Sequence, residues 1–240
     1  MSGKFNIEIP DDLDRGTNIK VLDPHFHPPS KGLSHLEGKA RLIHDLANIE
    51  LQAMELALRS LYEFPEAPEQ FRLELRDLCL SEGKHFKSCI EQLQLMGFDW
   101  GSRPVHTVLW KTVSPEDDLI DRILIVHRYL EGSGLDAGEM ILKKLEGSKD
   151  SYFNPIANLI CFIQKEEIDH VEFGSRWFRQ ICKLEKRNSD EEFKTRLFAM
   201  KNRLPRRLEK VSHHLRLKSG FTPSEIEIVE DYRSHFLISF

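Results

Sequence analysis

The motif Glu-x-x-His occurs twice in the sequence, at Glu82 to His85 and at Glu167 to His170, 85 positions apart. Both copies lie in long segments whose apolar residues recur at helical spacing. Residues three positions apart share one face of an α-helix, so each copy can present a carboxylate and an imidazole to the same metal ion. Two such helices that face each other would hold a pair of metal ions inside a helical bundle.

A bundle of this kind needs two more inward carboxylates, one from each remaining helix, and the candidates are Glu50 and Glu131. Residues on two antiparallel helices lie level when the turn that joins them is midway between them. The midpoint of Glu50 and Glu82 is position 66, in the helix-breaking stretch Phe-Pro-Glu-Ala-Pro at 64–68. The midpoint of Glu131 and Glu167 is position 149, in the turn-forming stretch Gly-Ser-Lys-Asp-Ser at 147–151. We therefore predict that both pairs lie level.

Chance is the alternative explanation for a single Glu-x-x-His, because the chain has 39 acidic residues. The neighbours of these glutamates argue against chance. Glu50 lies between Leu46 and Ala53, and Glu82 is followed one turn later by Phe86. Ionised carboxylates on apolar helix faces are costly to bury unless cations compensate them. Divalent metal ions are the simplest compensation.

Residues near the ligands allow several interpretations. His127, one turn before Glu131, is another ligand, a hydrogen-bond partner or an ordinary core histidine. Gly132 and Gly134 each weaken a helix, which indicates either room beside the metals or close helix packing. Ligating imidazoles usually donate their second N–H to a carboxylate or carbonyl. The candidate acceptors, each otherwise an ordinary surface charge, are Asp45, Asp136 and Asp169.

The helical patterns predict an all-α, ferritin-like four-helix bundle with additional C-terminal helices. Residues 1–34 form an irregular arm, in which His25 and His27 are either ligands or solvated, 35–184 form the bundle, and 185–240 form a helical extension. A crossover at 97–114 is long enough, at about 3.3 Å per residue, to return along a helix. The predicted helices are 34–61, 68–96 with Gly97 as its stop, 114–146 with Ser114 as its cap, 154–183 with Asn154 as its cap, 190–218 and 223–235.

Composition excludes few function classes. The 34 basic and 39 acidic residues leave a net charge of -5, which gives no reason to expect nucleic acid or an anionic membrane as partner. No apolar run resembles a signal peptide or a membrane span, so we expect a cytoplasmic protein. The basic stretch at 201–218 is either a tRNA-facing patch or, in preference, a solvated helix face. Four cysteines without CxxC spacing are read as reduced core thiols: Cys79, Cys89, Cys161 and Cys182.

Several segments together resemble a bacterial ferritin-like family known as DUF455. They are 49–58 (Ile-Glu-Leu-Gln-Ala-Met-Glu-Leu-Ala-Leu), 82–86, 109–110, 130–136 and 167–178, within a resemblance that covers most of 35–184 and a weaker tail near 219–221. The resemblance implies a bundle with a carboxylate-bridged dimetal centre. It carries over the six ligands found by spacing: Glu50, Glu82, His85, Glu131, Glu167 and His170. It differs from the family pattern at Ser81, Asn48 and the stretch 132–134, none of which is a ligand.

Carboxylate and imidazole ligands suit two ions of iron first, with manganese or a mixed iron–manganese pair as alternatives, whereas zinc is disfavoured because no thiolate is near. Six protein ligands leave open positions for dioxygen or water. We expect an oxidase or oxygenase that uses dioxygen and an external reductant on a small or modified substrate, with the four glutamates catalytic through the metals. The alternatives are a ferroxidase or iron-handling protein, a metal-stabilised module without enzymatic activity, and a relative of the di-iron tRNA hydroxylase. A monomer or small homo-oligomer is expected.

Overall fold

The computed structural model of the protein describes residues 8–29, 31–147 and 150–237. Within these ranges the only extended pairing is one isolated parallel bridge between Val21 and Val105, so the all-α prediction is confirmed. The α-helices are α1 (Leu36–Glu63), α2 (Glu69–Leu95), α3 (Leu119–Ile123), α4 (Glu131–Leu145), α5 (Phe153–Leu184), α6 (Ser189–Ala199), α7 (His213–Lys218) and α8 (Pro223–Leu237).

Four long rods build the bundle. The helices α1 and α2 form one hairpin, the rod from α3 through α4 packs against α5, and α5 also packs against α2. The break between α1 and α2 falls at 64–68, and Gly97, with φ +79°, follows the end of α2, as predicted. The break between α4 and α5 falls between Leu145 and Phe153, although Ser148 and Lys149 of the predicted turn lie outside the described residues. No helix of the described ranges combines the length and apolar character needed to cross a bilayer.

Buried amide side chains of α1 hold the crossover that follows α2. The Gln52 Oε1 atom accepts hydrogen bonds from the backbone N–H groups of Leu109 and Trp110, at 3.1 and 3.2 Å. The Nε2 atom of Gln52 and the Nδ2 atom of Asn48 both donate to the carbonyl of His106, at 2.9 Å each. Irregular backbone next to a core must find such partners, so these amides make the crossover part of the bundle wall.

The third rod starts later than predicted, at Leu119 instead of Ser114. Asp118 is its N-cap and forms a reciprocal capping box with Asp121, which satisfies the free N–H groups of the first turn. Asp117 instead accepts from the Ser114 N–H at 2.7 Å and pairs with Arg203 at 2.7 Å. Residues 114–117, which were predicted to begin the helix, therefore fold as a turn that binds Arg203. The cap predicted at Asn154 was also wrong, because α5 starts one residue earlier, after Tyr152.

Between α3 and α4, the third rod continues as a π-helix over Leu124–Leu130, and all seven residues of this π-helix are buried. Its hydrogen bonds run from i to i+5, which widens the helix locally; such segments are rare and often lie at functional sites. Glu131, a predicted ligand, is the residue that follows it. The sequence analysis did not predict this segment.

The prediction of one helix over 190–218 was wrong, because α6 ends at Ala199 and α7 begins only at His213. Pro205 has no backbone N–H and disfavours the helical conformation of the residue before it. The basic stretch at 201–218 is therefore mostly not helical and cannot form a single helix face. The last predicted helix is confirmed as α8.

A fully buried arginine of the π-helix ties this rod to the C-terminal residues. The Arg128 Nη2 atom lies 2.8 Å from Glu225 Oε2, and neither side chain is exposed. The guanidinium carbon also lies 4.8, 4.3 and 4.5 Å from the ring centres of Phe178, Phe193 and Phe221. Aromatic faces attract a desolvated cation, so this cage offsets part of the cost of burying the charge.

A second buried cluster lies two turns further along the same rod. Asp136 Oδ2 lies 2.7 Å from Arg216 and 2.8 Å from Arg233, and Asp136 and Arg216 are fully buried. A Cβ atom on Gly132 would come within 2.6 Å of the Arg216 guanidinium. Of the two explanations for Gly132, close packing therefore applies.

Candidate metal centre

Three helices bring four predicted ligands together. Glu50 from α1, Glu82 and His85 from α2, and Glu167 from α5 have ligand atoms within 4.8 Å of one another, and these residues are buried. The His85 Nδ1 atom lies 3.2 Å from Glu50 Oε2 and 3.3 Å from Glu82 Oε2. Glu50 and Glu82 are therefore level, as the turn position predicted. The four side chains can hold a metal ion.

His170 contacts two of the same carboxylates, Glu82 and Glu167. Its Nδ1 atom is 2.9 Å from Glu82 Oε1 and 3.2 Å from Glu167 Oε1. Neither His170 Nδ1 nor Glu82 Oε1 has a hydrogen-bond partner, although both are buried. The two atoms are close enough for a hydrogen bond, but the angles between their groups do not form one. Two buried ligand atoms that converge in this way fit a metal ion between them.

Glu131 is placed differently from the other glutamates. It is buried on the wall of the cavity that Glu50, Glu82 and Glu167 also line, and its charge helps to raise the pKa of Glu167. Its Oε1 atom lies 2.8 Å from His127 Nδ1, while its Oε2 atom is buried without a partner. Of the interpretations of His127, the hydrogen-bond partner is the one that the structure has. Glu131 as a ligand stays a prediction.

The histidines carry positive charge when no cation is present. Burial would lower the pKa of His85, but its hydrogen bonds to Glu50 and Glu82 and their charges together raise it to about 10. Burial would likewise lower the pKa of His170, but the charges of Glu167 and Glu82 raise it to about 12. Two protonated imidazoles thus compensate the carboxylates.

The carboxylates respond in opposite directions. Burial raises the pKa of Glu167 to about 7, and the charge of Glu82 adds to this effect. Burial and the charges of Glu82 and Glu167 also hold the pKa of Glu50 well above its usual range, against its bond to His85. Burial would raise the pKa of Glu82 as well, but its contacts with both imidazoles hold it well below the usual range. The pKa values of these three carboxyls therefore diverge, although the ligand atoms of the cluster lie within 4.8 Å of one another.

The partner of the His85 Nε2 atom is Glu166, whose Oε2 atom lies 2.9 Å away and also accepts from the Ser81 hydroxyl at 2.6 Å. Sequence reasoning missed Glu166. The signal was available, because Ser81 and Glu166 each precede the glutamate of one motif copy, and facing helices bring such positions together. The three predicted acceptors were wrong: Asp45 pairs with Arg41, Asp136 pairs with Arg216, and Asp169 is exposed on α5.

Thiols are near the centre but are poor ligands. Burial raises the pKa of Cys79 and of Cys89, and the charges of Glu82 and Glu50 respectively add to this effect. Neither thiol belongs to the cluster of described residues whose ligand atoms converge, and the Cys79 thiol donates to the Met54 carbonyl at 3.6 Å. Cys79, Cys89 and Cys182 are buried as predicted, whereas the prediction was wrong for the exposed Cys161.

Neither histidine of the N-terminal arm reaches the centre. His25 is exposed and its Nδ1 atom lies 2.8 Å from Asp23, while the ring of His27 lies 6.0 Å from that of His106. The solvated-loop interpretation therefore holds for His25.

A cavity of about 140 Å³ lies beside the carboxylates. Aliphatic residues make up most of its wall, among them Leu42, Leu46, Ile49, Leu56, Leu130, Ile141, Ile160 and Ile163. Gly134 lines the cavity, and a Cβ atom added there would meet no atom within 4 Å. Gly134 thus fits the room-beside-the-metals explanation, unlike Gly132.

Comparison with known proteins agrees with the resemblance found in the sequence. The model of a family described as "Protein of unknown function (DUF455)" matches residues 5–227, and the predicted family is confirmed over a longer range than expected. An uncharacterized protein of Haemophilus influenzae is 27% identical over 207 residues, which cover 83% of this chain and 70% of that protein. No solved structure matches the chain. The ferritin-like relationship stays a prediction.

Proposed function

We propose that this chain, which belongs to the DUF455 family, binds two divalent metal ions in its bundle and uses them in an oxygen-dependent oxidation of a small substrate. The observation that carries the proposal is the pair of buried, unpartnered atoms His170 Nδ1 and Glu82 Oε1, 2.9 Å apart. A fold leaves such atoms without hydrogen bonds rarely, because each costs about 1–3 kcal/mol. A metal ion that both atoms bind would remove that cost.

The donor set supports iron, manganese or a mixed pair. Its members are carboxylate oxygens and imidazole nitrogens, which suit these ions, whereas no cysteine belongs to the cluster in the described part of the chain. When bound, the two metals would supply Lewis acidity and the electrons for reducing dioxygen, with an external reductant restoring them.

The chain's own residues would orient the ligands and exclude water. Glu166 holds the Nε2 edge of His85 and so directs the Nδ1 atom toward the carboxylates. His127 holds one oxygen of Glu131, which leaves the other oxygen for the cavity. The aliphatic wall keeps bulk water away from the reacting centre.

The cavity favours an oxygenase or oxidase over an iron-handling protein, because iron ions would need a polar route and this wall is mainly aliphatic. Two residues of the basic stretch have internal partners, which weakens the alternative of a tRNA-binding face. Arg203 pairs with Asp117, and Arg216 pairs with Asp136.

Metal analysis and oxygen uptake test the proposal. Protein loaded with Fe²⁺ without air should retain about two ions per chain and consume dioxygen when mixed with air-saturated buffer. Glu82→Ala and His170→Ala should lose most of the metal and the oxygen uptake while their circular dichroism stays helical. Glu91→Ala, an exposed glutamate on α2, is the matched control and should behave as wild type. Wild-type metal content in both site variants would refute the proposal.

A further inference from the structure

Arg207 is the only basic residue among those of the described chain that line the cavity. It is half-buried, and its Nε atom is buried without a hydrogen-bond partner. No hydrogen bond or ion pair of this side chain occurs within 8–29, 31–147 or 150–237, whereas Arg203 and Arg216 of the same stretch both pair with aspartates. A guanidinium at the wall of an aliphatic cavity, with donors to spare, is suited to an anionic group of a ligand.

The charge of that ligand follows from the wall. The same cavity is lined by four glutamates, Glu50, Glu82, Glu131 and Glu167, and Arg207 is its single cation. A dianionic phosphate would keep an uncompensated charge there, whereas a carboxylate matches one guanidinium in charge and in its two-oxygen geometry. The ligand would lie beside the glutamates that are proposed to bind metal, so the inference rests on the proposed function.

The size of the ligand follows from the cavity volume of about 140 Å³. An engineered protein cavity of roughly 150 Å³ takes up benzene, so about six carbon atoms fit here. The aliphatic wall offers such a chain no hydrogen-bond partners, apart from Ser133 and Gln164, which favours a hydrocarbon body.

We propose that the cavity binds short aliphatic carboxylates of about six carbons, with the carboxylate on Arg207 and the hydrocarbon chain beside the metal-binding glutamates. Arg207 thereby determines which substrates the centre accepts. The uncharged alcohol of the same chain length would fill the cavity but leave Arg207 unmatched.

Calorimetric binding of hexanoate and of hexan-1-ol to Mn²⁺-loaded protein tests this proposal. Arg207→Gln should weaken hexanoate binding at least about tenfold, because a charge-assisted hydrogen bond is lost, and should leave hexan-1-ol binding unchanged. Arg206→Gln is the matched control, since Arg206 is exposed and does not line the cavity.

The outcomes separate this inference from the proposed function. Two results would overturn the inference and leave the metal centre standing. In the first, the protein has normal manganese content but does not bind hexanoate. In the second, manganese content is normal but wild type and Arg207→Gln bind hexanoate equally. A carboxylate bound directly to manganese would give the second of these results. Failure to load manganese would overturn the proposed function, and with it the inference, which places the ligand beside that metal centre.

Discussion

Loading the centre with Mn²⁺ at pH 7 should release between about two and four protons per chain. His85 and His170 are both protonated at this pH when metal is absent, because their pKa values are about 10 and about 12. Glu167 is about half protonated at its pKa of about 7, and burial also raises the pKa of Glu50 well above its usual range. Metal ligands must be deprotonated, so these protons leave when the ions bind.

The proton cost is large enough to control affinity. Removing the proton of His85 at pH 7, three units below its pKa of about 10, costs on the order of 4 kcal/mol. The metal must supply this energy, so apparent affinity for the pair should fall by between about two and four decades for each pH unit of acidification, one decade for each proton released.

Titration calorimetry in two buffers of different ionisation enthalpy counts the released protons. The count should rise between pH 7 and pH 5.5, since Glu167 is then fully protonated before binding. Glu82→Ala provides the background, because weak binding to surface carboxylates releases almost no protons. Release of less than one proton per chain, or an affinity that does not change with pH, would refute the assignment of the imidazoles as ligands.

Three further predictions concern stability, measured by urea unfolding of metal-free protein. Arg128→Met removes the 2.8 Å ion pair of the buried Glu225, which keeps only the Thr222 N–H and Arg179 at 3.7 Å, and should cost about 3–5 kcal/mol. Arg128→Met/Glu225→Leu should recover much of this loss; an equal loss in both variants would contradict the ion-pair argument. Gly174→Ala should cost about 1–3 kcal/mol, because the new Cβ atom would lie 2.5 Å from His127 Cβ, whereas Gly134→Ala should stabilise by up to about 1 kcal/mol. If Gly174→Ala were the more stable of these two variants, packing would be excluded as the reason for Gly174. The two histidines of the centre have pKa values raised from 6.5 to about 10 and about 12. Their contribution to the free energy of unfolding is therefore complete below pH 6.5 and is lost as pH rises through about 10. Equal free energies of unfolding at about pH 7 and about pH 10.5 would contradict this prediction.

The sequence predicted the part of the centre that depends on local rules. Helical period alone places Glu82 beside His85 and Glu167 beside His170 on their helices, and the position of one turn sets Glu50 level with Glu82. These rules hold whatever packs around them. The same reasoning supplied the break at 64–68, where two prolines end one helix and begin the next.

The rest depends on contacts between distant residues. Ser114 looked like the cap of the third rod, but Asp117 accepts from its N–H and pairs with Arg203, 86 positions later, and the cap is Asp118 instead. Arg207 reaches the cavity from an irregular segment, for which periodicity gives no direction. A reading that assumes 3.6 residues per turn also cannot place Glu131, because seven π-helical residues before it shift the phase of the rod.

The buried arginines explain how the π-helix and Glu131 are held. Arg128, three positions before Glu131, is fixed by Glu225, and Asp136, five positions after it, is fixed by Arg216 and Arg233. Residues of the C-terminal extension therefore form ion pairs with the third rod on both sides of Glu131. A buried ion pair tolerates little displacement, since moving either charge leaves the other uncompensated. The position of Glu131 at the cavity thus depends on residues far from it in sequence. We therefore expect removal of α8 to displace Glu131 more than the ligands on α1 and α2.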